Sequence, residues 1–307
     1  MPQTRKPAAE WVAIQANPKA GSGTQREQVD LLVDSLREQG LRPLLFKNRD
    51  RLSRILANPE LKSRLRCIVA AGGDGTVGDV LNRYPGCPVT ILPLGTENLL
   101  ARYLEIPRCG RSVGEIIAAN HVRTVDLASV GERRFSLMAS IGFDADVVHR
   151  LDAIRTGHVR RASYLKPIWD SLRSYQYPGL RIRLDDDPQT YTAKLVMVVN
   201  INAYALGIQP AQSARDDDGM LQVLFFERGS TFQMLRYFYK VMRGTHESLA
   251  DIRTLRASRI HVESDGAAPV QIDGDPAGMT PVDIRVLPAA AQFVAPPSET
   301  KAAIKTH

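Results

Sequence analysis

The sequence predicts a two-domain protein, with an N-terminal α/β domain followed by a domain of mainly antiparallel β-strands. The chain has 307 residues, enough for two domains of about 150 residues each. Strand-like and helix-like segments alternate in its first third, which is typical of a parallel α/β layer. After about residue 122 the strand-like segments follow one another more closely, which favours an antiparallel sheet.

In the first domain, apolar runs of strand length alternate with segments of helical periodicity. The apolar run WVAIQA is followed by a helix that starts at Thr24, where Glu27 completes a capping-box pattern. Short apolar runs such as CIVAA have the length of buried strands. The predicted elements are strands at 11–16, 43–46, 67–71 and 88–92, and helices from Thr24 towards Gly40, at 51–65, and from GGDGT to about Arg83.

In the second domain, two helical segments interrupt a series of strand-like runs. The predicted strands are 134–141, 179–184, 192–200, 220–226, 258–263 and 269–272, and the predicted helices are 158–175 and 230–243. We expect the first domain to span 8–125 and the second 126–287, with 288–296 packing back on the first domain and 297–307 forming a mobile tail.

Composition and charge restrict the class of protein. With 44% hydrophobic and 24% charged residues, the chain has the composition of a globular protein and not of a disordered one. It carries 40 Lys and Arg against 33 Asp and Glu, a net charge of +7. This excess indicates a polyanionic partner, which the charge alone leaves open as nucleic acid, anionic lipid or nucleotide.

The cysteines and the hydropathy pattern bear on the compartment. Cys67, Cys87 and Cys109 form no CxxC pair, which argues against a disulfide framework or a structural zinc site and favours a cytoplasmic setting. No apolar run approaches the roughly 18 residues of a membrane-spanning helix. We therefore expect any membrane contact to be peripheral.

Three glycine-bearing loops carry the strongest functional signals, and each follows a predicted strand. In open α/β sheets, ligands bind at the carboxyl ends of the strands, so the three loops are expected to converge. The first loop is NPKAGSG, in which Asn17 and Lys19 are candidates for nucleotide contacts because Lys19 and the N-terminus of the next helix suit a phosphate. A tight strand–helix turn explains this loop equally well.

The second loop is GGDGT. The glycines Gly72, Gly73 and Gly75 let a backbone wrap a polyanion, whereas Asp74 suits Mg²⁺ or the proton of a hydroxyl group. In the alternative interpretation, Asp74 bonds its own backbone in a turn. Thr76 is predicted to cap the following helix.

The third loop is PLGTEN, where Thr96 and Asn98 are neutral hydrogen-bonding groups suited to a nucleotide. Thr96 is alternatively a helix N-cap. The chain contains neither GxxxxGK[ST] nor the GxGxxG spacing of a dinucleotide fold.

Taken together, these loops resemble the diacylglycerol kinase-like lipid kinases, a family that includes bacterial lipid kinases, sphingosine kinases and ceramide kinases and is related to NAD kinases and phosphofructokinases. The matching segments, in the family's order, are NPKAGSG, AAGGDGTVGDVLN, PLGTENLLAR, SIGFDADV, DDDGML and IDGD, which together span 17–275. GGDGT alone does not separate lipid kinases from NAD kinases. The ordered set favours the lipid kinases.

The resemblance implies a nucleotide domain of the NAD kinase and phosphofructokinase type, a C-terminal β-sandwich domain, and ATP and Mg²⁺ in the cleft between them. It implies Asp275 as the acceptor of the hydroxyl proton, with Asp74 as a second catalytic candidate. The nucleotide-binding candidates are Asn17, Lys19, Gly72, Gly73, Asp74, Gly75, Thr76, Val77, Gly78, Thr96 and Asn98.

The resemblance also implies a structural Mg²⁺ beside the DG turn of the second domain, bound by Asp218 and by the backbone carbonyls of Arg215 and Met220. From the residues alone, a solvated acidic turn is equally consistent. The sequence departs from the family pattern at Leu99, where an aspartate is usual, and at Asp275, where a glutamate is usual. In LLFKNRD we align no counterpart of a threonine that many members carry after the second strand.

We therefore expect transfer of the γ-phosphoryl group of ATP to the hydroxyl of a diacylglycerol-, phosphatidylglycerol- or sphingoid-type lipid. The alternatives are an NAD or other small-molecule kinase and, given the two departures, a nonenzymatic nucleotide- or lipid-binding regulator. A nucleic-acid partner lacks a recognisable motif. An anionic membrane surface is a further expected partner, through 158–175 or 230–243, although each segment also fits a helix packed on the sheet. The oligomeric state is not specified.

Overall fold

The computed structural model describes residues 10–16, 23–154, 164–204 and 208–297. The chain divides into two compact units. Unit 1 comprises the chain up to Thr124 and again from Ala291 onward, and unit 2 comprises Val125–Ala290.

Unit 1 is an α/β layer around a parallel sheet. Its strands are β1 (Trp11–Ala16), β2 (Arg42–Phe46), β3 (Leu65–Gly72) and β4 (Val89–Pro93), and its helices are α1 (Gly23–Glu38), α2 (Arg49–Leu56), α3 (Pro59–Ser63), α4 (Asp74–Arg83), α5 (Leu99–Tyr103) and α6 (Gly110–Ala119). The strands pair in the order β2–β1–β3–β4, and every pair is parallel. β1, β3 and β4 are almost continuously buried, as expected for a sheet covered on both faces.

Unit 2 contains strands that pair antiparallel in two sheets. Its elements are β5 (Val122–Val130), β6 (Arg133–Phe135), β7 (Met138–Gly142), α7 (Phe143–Ala153), α8 (Leu165–Ser174), β8 (Leu180–Leu184), β9 (Thr190–Ala193), β10 (Leu195–Val199), β11 (Leu221–Phe226), α9 (Thr231–Met242), a 3-10 turn at His246–Ser248, β12 (Ile252–Ala257), β13 (Arg259–Ser264), β14 (Pro269–Ile272), β15 (Asp275–Met279) and β16 (Val282–Val294). One sheet has the order β12–β11–β10–β7–β14–β15, and β13 lies between β16 and β8 in the other.

The core of unit 2 is built from the inner faces of both sheets. Along β8 the sequence LRIRL alternates buried and exposed residues, so that Leu180, Ile182 and Leu184 all point inward. They pack in one apolar cluster with residues of the other sheet, such as Val196 and Phe225. The predicted fold class, an α/β domain followed by a β-sandwich, is confirmed.

Several predicted elements differ in detail from the observed ones. The single helix expected at 51–65 is two helices, because Asn58 accepts from the backbone N–H groups of Glu60 and Leu61 and starts α3 with Pro59 in its first turn. The strands expected at 134–141 and 192–200 are each divided into two. The sequence interpretation missed α6, α7, β5, β12, β15 and β16.

The GGDGT segment is more helical than predicted. α4 already begins at Asp74, with Gly73 as its N-cap residue, so Thr76 lies inside the first turn and does not cap the helix as predicted. Asn17 and Lys19, and the part of the predicted helix 158–175 before residue 164, lie outside the described residues.

Candidate active site

Candidate residues of unit 1 lie at the junction between β3 and α4. β3 ends at Gly72 and α4 begins at Asp74, so only Gly73 separates strand from helix. No side chain caps this helix. The first turn of an α-helix presents backbone N–H groups without intrahelical partners, together with the positive end of the helix dipole. This geometry suits the phosphates of a nucleotide.

The glycines around this junction serve two different purposes. A Cβ on Gly72 would lie 2.2 Å from the Thr76 hydroxyl, so packing excludes any larger residue there. A Cβ on Gly75 would have no neighbour within 4 Å, and Gly75 is exposed. Neither packing nor a positive φ angle requires glycine at this position. A ligand that lies close to the backbone at position 75 would explain why this residue is a glycine.

The third predicted loop lies against the second. The backbone N–H of Leu94 donates to the carbonyl of Gly72 at 2.9 Å. A Cβ on Gly95 would lie 2.5 Å from the Cα of Gly73, so the two loops touch through their glycines. The expected convergence of these two loops therefore holds for Gly72, Gly73 and Gly95.

Asn98 shapes the third loop. Its buried side chain accepts from the Gly95 N–H at 2.9 Å and donates to the Gly95 carbonyl at 2.8 Å. Asn98 also has a φ of 48°, in the left-handed region that Asn tolerates well. Both polar atoms of the amide thus hold Gly95 in place. Thr96, in contrast, is exposed beside Gly95.

Asp74 joins the two loops through its carboxylate. Its Oδ1 accepts from the backbone N–H of Leu100 at 3.3 Å, in the first turn of α5. Burial raises the pKa of Asp74, and hydrogen bonds from the Leu99 and Leu100 backbone oppose that rise. At position 99 it is the backbone that contacts Asp74, so the leucine side chain does not remove this interaction.

In unit 2, Asp275 is the first residue of β15, directly after the Asp273–Gly274 turn. Its carboxylate forms an exposed ion pair with Arg133, 3.3 Å from the guanidinium. A pair of this kind contributes little to stability. The side chain is 39% exposed and is therefore open to a reacting group.

Asp273, in contrast, is buried and fully engaged. One carboxylate oxygen accepts from the N–H and the hydroxyl of Ser136, at 2.8 and 3.0 Å. The other accepts from the N–H groups of Leu137 and Met138, at 2.8 and 3.0 Å. Burial raises the pKa of Asp273, and these hydrogen bonds counteract the rise. Asp273 therefore fixes the turn that carries Asp275.

A second buried network supports the same turn, and the sequence interpretation missed it. Gln271 accepts from the Gly274 N–H at 2.8 Å and donates to the Ser140 hydroxyl at 3.0 Å. Asp144 accepts hydrogen bonds from Ser140, Gln271 and Tyr204. Burial raises the pKa of Asp144, against the effect of these bonds. The SIGFDADV segment was the only sequence signal for this network.

The DG turn expected to bind a structural Mg²⁺ has other partners. The Asp218 carboxylate forms an ion pair with Arg256 and accepts from the Met220 N–H at 3.1 Å. The Arg215 side chain pairs with Asp217 at 3.3 Å. Within the described ranges, no group of three or more His, Cys, Asp and Glu side chains could hold a metal ion. The Asp218 carboxylate thus has Arg256 as a cationic partner, and the Mg²⁺ site implied by the resemblance, with one carboxylate and two backbone carbonyls, stays a prediction.

Two family models together match most of the chain. The model described as the diacylglycerol kinase catalytic domain matches residues 12–130. The model described as the YegS C-terminal NAD kinase beta sandwich-like domain matches residues 138–295. The resemblance inferred from the loops is thereby confirmed.

Curated relatives are similar over most of their length. A protein named diacylglycerol kinase from Mycobacterium tuberculosis is 27% identical over 304 residues, covering 96% of this chain and 98% of its own. A protein named probable lipid kinase YegS-like from Chromohalobacter salexigens is 24% identical, with 78% of this chain and 79% of its own covered.

Solved structures share the fold. A crystal structure of a diacylglycerol kinase from Bacillus anthracis has a TM-score of 0.67 at 22% identity and covers 95% of this chain and 99% of its own. A further Bacillus anthracis structure reaches a TM-score of 0.74 at 23% identity, covering 95% of this chain and 99% of its own.

Proposed function

Because the chain belongs to the family of diacylglycerol kinase-like lipid kinases, we propose that this lipid kinase transfers the γ-phosphoryl group of ATP to a lipid hydroxyl. The observation that carries the proposal is the start of α4. Position 75 is exposed there, and neither packing nor backbone conformation requires it to be a glycine. Phosphoryl transfer depends mainly on positioning and on neutralising charge, and a helix N-terminus contributes to both.

Unit 1 binds MgATP as a substrate in this proposal. The backbone of Gly73 and Gly75 contacts the phosphates, and Thr96 contacts the nucleotide from the neighbouring loop. Asn98 acts indirectly, because its amide holds Gly95 against Gly73. Asp74 faces the Mg²⁺ that ATP carries. Its bond to the Leu100 N–H keeps the carboxylate in position during transfer.

Asp275 is the proposed general base. As the lipid hydroxyl oxygen forms its bond to the γ-phosphorus, its proton passes to the Asp275 carboxylate and the bond to the ADP oxygen breaks. The ion pair with Arg133 is exposed and is therefore weak enough to yield to a substrate. The buried bonds of Asp273 hold the turn in place.

Diacylglycerol is the first lipid to test, since relatives at up to 27% identity carry the name diacylglycerol kinase. The purified protein is incubated with labelled ATP, Mg²⁺ and, separately, diacylglycerol, phosphatidylglycerol, sphingosine, ceramide and NAD. The expected result is label in a lipid. Label in NAD and in no lipid would overturn the proposal in favour of a small-molecule kinase. ATP binding without any transfer would favour a nonenzymatic regulator.

The two carboxylates are tested by Asp74→Asn and Asp275→Asn. We expect each substitution to reduce kcat by about 100-fold or more, because general bases and positioned carboxylates contribute on that order. Asp79→Asn is the matched control for Asp74, since Asp79 lies on the same helix and forms an ion pair with Arg49. Asp265→Asn is the control for Asp275, since Asp265 forms an exposed ion pair with Arg181. Full activity in either site variant would remove the role assigned to that residue.

A further inference from the structure

Helix α9 exposes an apolar face to solvent. Only Met234 and Tyr237 are fully buried along this helix. Its exposed large side chains recur at helical spacing, and the most exposed of them, Phe232, shows 72% of its surface. An amphipathic helix of a globular protein normally turns such a stripe towards the core. The exposed side chains are Phe232, Leu235, Phe238, Tyr239 and Met242.

Helix α8 continues this exposed apolar area. The Thr231 hydroxyl at the start of α9 donates to the Leu172 carbonyl of α8 at 2.6 Å, which ties the two helices together. α8 exposes Leu165 and Trp169, the latter at 57% of its surface. We use the term docking surface for seven exposed apolar residues of the two helices, namely Leu165, Trp169, Phe232, Leu235, Phe238, Tyr239 and Met242.

Positive charge accompanies the docking surface. α9 contains no Asp or Glu, and α8 contains one acidic residue, Asp170, against the two basic residues Lys166 and Arg173. The guanidinium of Arg173 lies 4.9 Å from the centre of the Trp169 ring, and that of Arg243 lies 5.7 Å from the Tyr239 ring. Arg236 does not contribute, because it pairs with buried Asp251 at 2.7 Å. Lys166 and Lys240 directly follow Leu165 and Tyr239 in the sequence, so the basic residues of this region are Lys166, Arg173, Lys240 and Arg243.

We propose that the docking surface inserts its apolar side chains into an anionic lipid bilayer, with these basic side chains contacting the headgroups. Exposed Trp and Tyr next to Lys and Arg is the composition of helices that lie in a membrane interface. A second copy of the chain fits less well, because pairing this face with itself would bring the basic groups of both copies together. The inference rests on the proposed function for its purpose, since a lipid kinase must reach its substrate in a bilayer.

The test is cosedimentation of the full chain with vesicles that contain no kinase substrate and no ATP. Vesicles of phosphatidylcholine are compared with vesicles of phosphatidylcholine and phosphatidylserine. We expect strong binding only to the anionic vesicles, and at least tenfold weaker binding for Phe232→Ser/Phe238→Ser. Lys240→Gln/Arg243→Gln is expected to lower the preference for anionic vesicles. The matched control is Leu45→Ser/Val122→Ser, which removes two exposed apolar side chains outside the docking surface.

This readout separates the failure of the docking surface from the failure of the kinase proposal, because it needs no phosphoryl transfer. Where transfer is observed, the Phe232→Ser/Phe238→Ser variant should lose more activity on vesicle lipid than on detergent-dispersed lipid. Equal vesicle binding by this variant and the wild type would overturn the inference. A second result would also overturn it. In that case the wild-type protein does not bind anionic vesicles but forms a dimer, and Phe232→Ser/Phe238→Ser dissociates this dimer. Unchanged thermal unfolding of the variant checks that it remains folded.

Discussion

Two aspartates in the segment IDGD differ in their surroundings although only one residue separates them. Asp275 is partly exposed beside Arg133, whereas Asp273 is buried and accepts four hydrogen bonds. Their chemistry should differ accordingly. A carboxylate whose lone pairs are all engaged by protein donors supports structure, while one in contact with solvent is open to a substrate.

We predict that Asp273→Asn destabilises the protein, while Asp275→Asn does not. The amide group introduced by Asp273→Asn would face two hydrogen-bond donors, either from Ser136 or from Leu137 and Met138. Leaving buried donors unsatisfied costs about 1–3 kcal/mol. Urea unfolding at neutral pH measures the difference. Equal unfolding midpoints for the two variants would contradict the separation of a structural from a chemical aspartate.

Among the elements, the junction of β3 and α4 allows an effect on stability to be separated from an effect on ATP binding. Gly75 lies in the first turn of α4 with open space beside it. Alanine has the higher helix propensity by about 1 kcal/mol. Gly75→Ala is therefore expected to leave the free energy of unfolding unchanged or to raise it slightly. If phosphates lie against this backbone, the added methyl group should raise the KM for ATP several-fold.

Gly95→Ala is the contrasting variant. Its Cβ would lie 2.5 Å from the Cα of Gly73, so the two loops must separate and the protein should lose stability. For each variant, differential scanning calorimetry measures the stability and steady-state kinetics measure the KM for ATP.

The outcome for Gly75→Ala decides where the phosphates bind. If this variant binds ATP as tightly as the wild type, the phosphates lie elsewhere.

The elements also show what sequence patterns could predict. Continuous apolar runs correctly identified β1, β3 and β4, because strands of a parallel sheet are buried on both faces. Periodicity failed where capping decides the boundary. Asn58 and Pro59 split a predicted helix, and α7 begins directly after Gly142, whose φ of 117° turns the chain without a recognisable loop.

For the candidate site, the glycine loops were visible in the sequence but their internal contacts were not. Asn98 has the residue type of a nucleotide contact, yet its amide holds Gly95. Gln271 and Asp144 lie far apart in the chain and meet only after β14 pairs with β7. Hydrogen bonds between distant segments depend on strand register, which a single sequence does not reveal.

On the scale of the whole molecule, the chain leaves unit 1 after Thr124 and returns to it at Ala291. The returning segment completes the sheet. Phe293 pairs with Val89, and the Thr90 hydroxyl donates to the Val294 carbonyl at 2.7 Å. Phe293 and Val294 are fully buried. The stability of unit 1 therefore depends on residues that follow the whole of unit 2 in the chain. The described helices include none with the length and apolar character needed to cross a membrane.

We predict that a chain ending at Ala290 has a destabilised unit 1, even though residues up to Thr124 are all present. Truncating a buried Phe side chain alone costs about 3–5 kcal/mol, and this deletion also removes the backbone pairing with β4. The chain contains two tryptophans, of which Trp11 is buried in β1. In a Trp169→Phe background, Trp11 fluorescence therefore reports the unfolding of unit 1 by urea. A chain ending at Pro297 keeps Phe293 and Val294 and is the control. Identical Trp11 unfolding curves for the two truncations would show that unit 1 folds without the returning strand.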